Sequence, residues 1–552
     1  MVRPVVAFAF LSFIALSGCS SAPTKEASIE AIQTPDRLAS IPADTFFLLA
    51  SLEPLPAGPI LDTLSRNESD LLDLTDFLVD AFGSSPIGAS KLFAAMMREF
   101  DGSWNREGFE ALGLSTSPHL AFYAVSWFPV FRIETNDPER VRALIQRAET
   151  RSGVILTTAT EGDQTYNVYG SPGAIVTWKF EGNDLVIGAA LNEAVDLWLP
   201  YFLGEQKPDV SIANSQSLTV LTQKYGFSGQ LLGFLDFERM VTLVLAPTGL
   251  DAEIAQRVDF LKDDESADCK AELTSMFANY PRVVFALNSW TETEFTLDAG
   301  LEMENGLGAR LADTQGPIPG TGSRYAQDPR LAAGLGVEVG KLVGLIAEMS
   351  TDHLKTPYRC DLLLPYNAGA EKFARSAALL PPLFGDIQGV ALYVVKPTDT
   401  GLQPPDAGDA DTERSDINHA IIVRTRDTGN IITLLENADP GFAKLEMKTD
   451  GVAVALPGLK LAEHTGYFAA ASKQQFVIMT DERGAEAATE LARSEPTKSG
   501  WANLSLDPAD MIEAMPQSWL RSLLRIFVGR LHVEAAPNTY GMFARWVQEF
   551  PK

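Results

Sequence analysis

Residues 231–245 read LLGFLDFERMVTLVL and residues 501–515 read WANLSLDPADMIEAM. Each is an apolar strand pattern ending in an aspartate, Asp236 or Asp507, with Met240 or Met511 four residues on and a helical pattern beyond. An acid suits that place, because a helix start presents orphan backbone N–H groups and the positive end of the helix dipole. The stretch LAAGLGVEVGKLVGLIAEM repeats the spacing with Glu338 and Leu342, and FFLLASLEPLPAGPI repeats it more weakly with Glu53. Self-similarity at this range marks an internal repeat.

Further blocks keep the same order. HLAFYAVSWFPVFRIETNDPERVRALIQRAE reads strand, turn, strand, helix, and parallels GVALYVVKPTDTG followed by HAIIVRTRDTGNIITLLENAD, with Tyr123 and Tyr393 falling together. NDLVIGAALNEAVDLWLPYF parallels QQFVIMTDERGAEAATELAR, a strand then a helix. ELTSMFANYPRVVFALNSWTETEFTLDAGLEM parallels SWLRSLLRIFVGRLHVEAAPNTYGMFARWVQEF, a helix then a hairpin. The expected fold is α+β: two tandem, internally duplicated modules of mostly antiparallel sheet with packing helices, over 41–305 and 325–552. Between them, residues 306–324 carry the Gly and Pro punctuation of a turn-rich linker.

The amino terminus, MVRPVVAFAFLSFIALSGCSSAPTK, has a cationic start at Arg3 and an apolar run from Val5 to Leu16 that is too short to span a bilayer. It reads as a secretory signal over residues 1–18. Leu16, Ser17, Gly18 and Cys19 resemble the lipobox of bacterial lipoproteins, which implies cleavage before Cys19 and acylation of that residue. Ser20 in place of an aspartate implies, by the same resemblance, sorting to the outer membrane of a Gram-negative cell. Residues 19–40 would then be a lipidated tether.

With 552 residues and 46% hydrophobic content the chain has ample material for a folded core. Loss of Arg3, the one charged residue in 1–18, takes the formal net charge from −28 to −29. Such acidity repels nucleic acid and anionic lipid surfaces and argues against a nucleic-acid partner. With Cys19 lipidated, Cys269 and Cys360 are an even pair in an oxidising compartment, so a disulfide is expected. On the two-module reading it would cross the joint. Two thiols with no third soft ligand make a poor zinc site, and no metal or cofactor is expected.

The residues of chemistry are scattered. His119, His353, His419, His464 and His532 are isolated from one another, with no His-x-x-x-His or Cys-x-x-Cys pair. Ser171 in YGSPGA and Ser323 in GTGSRY lack the Gly-x-Ser-x-Gly spacing of a nucleophile elbow. Gly334 and Gly336 in GLGVEVGK fit neither a dinucleotide nor a Walker pattern, and tight strand packing accounts for them better. PPDAGDADTERSD clusters Asp406, Asp409, Asp411, Glu413 and Asp416 without the glycine and terminal glutamate of a calcium loop, so it reads as a solvated insertion. In PQSWLRSLLRIFVGRLHV, Trp519, Leu520, Leu523, Leu524, Phe527 and Leu531 form one helical face and Arg521 and Arg525 another. Core packing is favoured over membrane contact for that helix.

IPADTFFLLASLEP, EGFEALGLSTSPHLAFY and the pair CKAEL and YRCDLLLPYN resemble a family of bacterial envelope lipoproteins built on a domain of unknown function. The resemblance implies an address and an architecture and brings no catalytic residues with it. The reading is therefore a non-catalytic lipoprotein held by Cys19 at the periplasmic face of the outer membrane. It would bind or scaffold an envelope protein or a hydrophobic ligand through the cleft between modules. The alternative is an envelope hydrolase with dispersed catalytic groups, which requires a pocket joining His119 or His353 to a serine and a carboxylate.

Overall fold

The computed structural model describes residues 36–550 except 85–87, 172, 259–265, 327–328, 381, 396–417, 457–466, 481–483, 510–511, 513–514, 516–518 and 528. The chain divides into two compact units. The first runs to Glu304 and also takes in Ala509–Gly529 and Trp546–Lys552, and the second comprises Asn305–Pro508 and Arg530–Arg545. With 42% helix, 30% strand and antiparallel ladders, the fold is α+β.

In the first unit the strands are β1 (Phe47–Ala50), β2 (Leu120–Val125), β3 (Phe128–Glu134), β4 (Thr157–Glu161), β5 (Gln164–Ser171), β6 (Ala174–Glu181), β7 (Asp184–Leu191), β8 (Leu231–Asp236), β9 (Arg282–Trp290) and β10 (Glu294–Glu302). They lie in the order β4-β5-β6-β7-β3-β2-β1-β8-β9-β10, antiparallel throughout. The period-two alternation of β1 turns Leu48 and Ala50 into the core. The helix Val195–Leu203, directly after β7, lays Trp198 on Gly188, where an added Cβ would stand 2.6 Å from the indole. Only a glycine admits the ring there.

In the second unit the strands are β11 (Gly316–Pro317), β12 (Leu331–Leu335), β13 (Ile387–Val395), β14 (Asn418–Thr425), β15 (Val454–Leu456), β16 (Tyr467–Ala471), β17 (Gln475–Thr480), β18 (Ser499–Gly500), β19 (Ala502–Leu506) and β20 (Arg530–Asn538). The order is β15-β16-β17-β14-β13-β12-β19-β20, again antiparallel, and β11 pairs with β18 apart from it. This matches the first unit from β5 to β9, ladder for ladder. The helix Gly484–Arg493, directly after β17, packs Ala487, Ala488 and Leu491 on Tyr393, Ile422 and Val477.

The observed division differs from the one expected at three places. Residues 36–40, expected in the tether, form a 3-10 turn of the first unit with Leu38 fully buried. Residues 509–529 and 546–552, expected in the second module, belong to the first unit. Residues 306–324, expected as a linker, are built into the second unit. Gly316 and Pro317 form β11, Ile318 and Ser323 are buried, and Thr321 Oγ1 accepts from the backbone N–H groups of Thr497 and Lys498 at 3.0 and 3.2 Å. The Gly and Pro residues serve close approach rather than flexibility. A Cβ on Gly316 would lie 2.3 Å from Gln388 O, and one on Gly322 would lie 2.0 Å from Glu495 O.

Candidate functional site

A set of ionisable groups that runs from buried Arg132, Lys179 and Asp184 to half-exposed Glu181 lies on one face of the first unit's sheet. Register sets Glu134 opposite Asp184, Asp184 opposite Glu181, and Arg132 opposite Val186. Because directly opposed residues project to the same face, Arg132, Glu134, Lys179, Glu181 and Asp184 share one surface. A short 3-10 turn, Asp36–Ser40, adds Arg37 and Ser40.

Arg132, only 5% exposed, bonds Asp184 Oδ2 at 3.2 Å and Glu181 Oε2 at 2.9 Å, and reaches Ser40 Oγ at 3.4 Å. Arg37 bonds Asp184 Oδ1 at 3.2 Å and lies 3.5 Å from Glu134. Glu134 Oε2 is 2.8 Å from His119 Nδ1 and accepts from the His119 backbone N–H at 3.1 Å. Lys179 donates to Leu203 O at 2.8 Å and lies 3.5 Å from Glu181. Burial opposes the Arg132 charge, yet Tyr123, Glu181 and Asp184 around it hold its pKa above the ordinary arginine value. Burial pushes the Tyr123 hydroxyl up and the Lys179 ammonium down. Burial works against Glu181, but Arg132 and Lys179 hold its carboxyl below the usual range. Glu134 is likewise lowered: burial opposes the shift, and hydrogen bonds from His119 outweigh it.

A second cluster centres on Glu302 of β10, 1% exposed. Arg282 Nε donates to it at 2.6 Å, Lys224 Nζ donates at 2.8 Å, and the Tyr225 hydroxyl donates to the same carboxylate. Burial opposes ionisation of Glu302, and these donors overcome it and lower its pKa. Asp236, paired in register with Arg282, accepts from Arg239 N at 2.7 Å and so caps the helix Phe237–Leu245, as its place in the sequence predicts. Burial nevertheless raises its pKa.

The other residues singled out by sequence fall as follows. Cys269 and Cys360 are buried and disulfide-bonded. Leu16, Ser17, Gly18, Cys19, His464 and the acidic stretch Asp406–Asp416 lie outside the described residues. Ser323 Oγ donates to Gly320 O at 2.7 Å. His353 Nε2 is 2.7 Å from Asn367 Oδ1, with the Tyr358 and Tyr366 rings 4.6 and 4.9 Å away. His419 stands edge-on to Tyr467 at 6.0 Å. Glu338 precedes the helix Val339–His353 without capping it, pairing with Lys341 and Arg426 at 3.2 Å each. In the helix Trp519–Phe527, Ser522 is buried 3.4 Å from Asp73 and Arg525 is 3.7 Å from Asp70, so that helix packs on Glu68–Gly83.

A histidine held by a carboxylate is half of a hydrolytic triad. Among the described residues no serine is bonded to His119. One cleft of about 280 Å³ is lined by Ile318, Thr497, Lys498, Asn503 and Glu534, and another of about 540 Å³ by Asp62, Arg66, Asn105, Arg106 and Glu292. Neither includes His119 or His353. No group of three metal-ligating side chains occurs among the described residues. The ionic cluster eluded sequence reading because Arg37, Arg132 and Asp184 are far apart in the chain; the visible signal was charge inside otherwise apolar strands, as in FRIE and WKFE. No protein-family model, curated protein or solved structure matches the chain.

Proposed function

We propose that the protein is a lipid-anchored envelope lipoprotein, tethered through Cys19 at the periplasmic face of the outer membrane, with a non-catalytic binding or scaffolding role. One observation carries the non-catalytic reading: the buried ionisable groups of the sheet face are engaged with one another. His119, Glu134, Arg37, Asp184, Arg132 and Glu181 form a continuous chain of ion pairs and hydrogen bonds in that order, with charges of opposite sign adjacent. Catalytic groups are typically held with reactive atoms turned toward a cleft. Here the charges tie Asp36–Ser40 to the sheet. Palmitate labelling of cells expressing the wild type and Cys19→Ser tests the anchor: label on both, or on neither, removes it. Envelope crosslinking that recovers no partner above background counts against the scaffolding role.

The two units are read as products of one duplication. Matching ladder order supports this, and so does register. Phe234 of β8 faces Leu48 and Ser505 of β19 faces Ala332, which sets Asp236 and Asp507 at the same offset beyond their partners.

A further inference from the structure

The helix Leu364–Ala377 belongs to the second unit, yet Ala370 is its only buried residue. It lies beside the helix Val339–His353 and presents an outward face of Pro365, Ala368, Lys372 and Arg375, at the three- and four-residue spacing of one helical side, with Leu362 and Leu379 in the turns that flank it. Leu362 is 63% exposed and Leu379 is 82% exposed, with Tyr366 and Phe384 also open to solvent at the two ends. A helix on a soluble domain normally turns its apolar stripe inward. This one turns apolar ends outward around a small middle that carries Lys372 and the Arg375–Glu371 ion pair.

We propose that this helix lies flat on the phospholipid surface to which the chain is tethered, and so sets the orientation of the second unit at the membrane. The inference rests on the lipid anchor argued above. Two further observations select a bilayer as the occupant. The first is charge. In a chain of net charge −28, residues 352–386 balance Lys355, Arg359, Lys372 and Arg375 against Asp352, Asp361, Glu371 and Asp386, with Lys355 paired to Asp352 at 2.7 Å and Arg375 to Glu371 at 3.1 Å, so this neutral segment approaches anionic headgroups without the repulsion felt elsewhere. The exposed phenylalanines of the first unit, Phe77, Phe82 and Phe93, instead stand among Asp73, Asp76 and Asp80. The second is reach. The residues from Cys19 to Asp36 span roughly 60 Å when extended, so acylation holds the folded chain at high effective concentration beside the bilayer. The helix is 14 residues long and covers about 21 Å of surface. Leu362 and Leu379 enter the acyl boundary at its ends, and Lys372 extends to phosphates between them.

The test reconstitutes the acylated full-length mature protein in vesicles of phosphatidylethanolamine and phosphatidylglycerol that carry a diazirine-bearing phospholipid. After flotation and illumination, labelled peptides are mapped by mass spectrometry. The expected result is label in 360–384 as well as in the tether, with label in 360–384 falling at least fivefold in Leu362→Ser/Leu379→Ser while that variant still floats and keeps its near-UV circular dichroism. A protein that floats with label confined to the tether overturns the docking and leaves the anchor standing. Label in 360–384 that persists in the double variant also overturns it. A protein that does not float removes the anchor, and the docking with it.

Discussion

Tyr123 and Tyr393 occupy the same place in their two sheets. Tyr123 stands opposite Leu48 on one side and Val130 on the other, and Tyr393 stands opposite Ala332 and Ala420, so each buried ring flanks the corresponding strand of its sheet, β1 or β12. What covers them differs. The Tyr393 hydroxyl donates to Pro319 O at 3.1 Å, whereas Tyr123 engages the Ser40 and Arg132 side chains. Tyr393→Phe leaves one neutral carbonyl unmet and is expected to cost about 1 kcal/mol. Tyr123→Phe disturbs a partner of a buried arginine and is expected to cost about 2 kcal/mol, in the range of hydrogen bonds to charged groups. Urea denaturation of both variants checks the ranking, which fails if Tyr393→Phe is the more damaging.

Arg132 neutralises two carboxylates at once. Arg132→Met takes the buried partner from Asp184, which keeps only Arg37, while half-exposed Glu181 stays solvated beside Lys179, and the loss is expected to reach about 1.5–3 kcal/mol. The exposed i,i+3 pair Lys355–Asp352, at 2.7 Å, is the control, and Lys355→Met is expected to leave stability unchanged within error. Comparable losses in equilibrium unfolding would show that the sheet-face cluster carries no special weight.

The carboxyls Glu302 and Asp236 predict opposite pH dependences. The Glu302 pKa is lowered in the folded protein, by donors that outweigh burial, so its contribution is present at neutral pH and is lost as pH falls through a folded pKa below 4.5. Glu302→Gln is therefore expected to be less stable than wild type at pH 7, with the gap closing under acid conditions. Burial raises the Asp236 pKa, so its ionised form opposes folding once pH exceeds that pKa. Asp236→Asn keeps a capping side chain and removes the buried charge, and is expected to raise the pH 7 melting temperature. A melting temperature lowered by Asp236→Asn would contradict this account.

Element type was largely legible in the sequence because period-two and helical patterns are local. NDLVIGAALNEAVDLWLPYF folds as β7 and the helix Val195–Leu203, and QQFVIMTDERGAEAATELAR as β17 and Gly484–Arg493, in the order the parallel suggests. Contacts that join distant residues were not legible. Asp73 and Ser522 lie 449 positions apart, so the helix Trp519–Phe527 reads as a self-contained amphipathic stripe until its partner is seen. Glu338 has the composition of an N-cap, but its side chain makes no cap bond and turns to Lys341 and Arg426 instead. Residues 306–324 misled for a related reason, since Gly and Pro are as useful in a tight crossing as in a loose connection.

Gly320 puts that last point to a quantitative test. Its φ is +78°, and a Cβ there would lie 2.6 Å from Ile422 Cδ1 and 2.7 Å from the Tyr393 ring. An alanine therefore meets two penalties together, left-handed backbone strain and overlap with side chains that are themselves buried. Ile422 and Tyr393 belong to the cluster that seats the helix Gly484–Arg493, so neither side chain has room to retreat. Gly320→Ala is expected to lose about 2–4 kcal/mol, the sum of about 1–2 kcal/mol for the αL backbone and a similar amount for overpacking. Gly344, helical with nothing within 4 Å of its added Cβ, is the matched control, and Gly344→Ala is expected to gain about 0.5–1 kcal/mol. Chemical denaturation of the two alanine variants decides the matter: a flexible linker over 306–324 would make Gly320→Ala neutral, and a packed crossing makes it the more damaging by several kcal/mol.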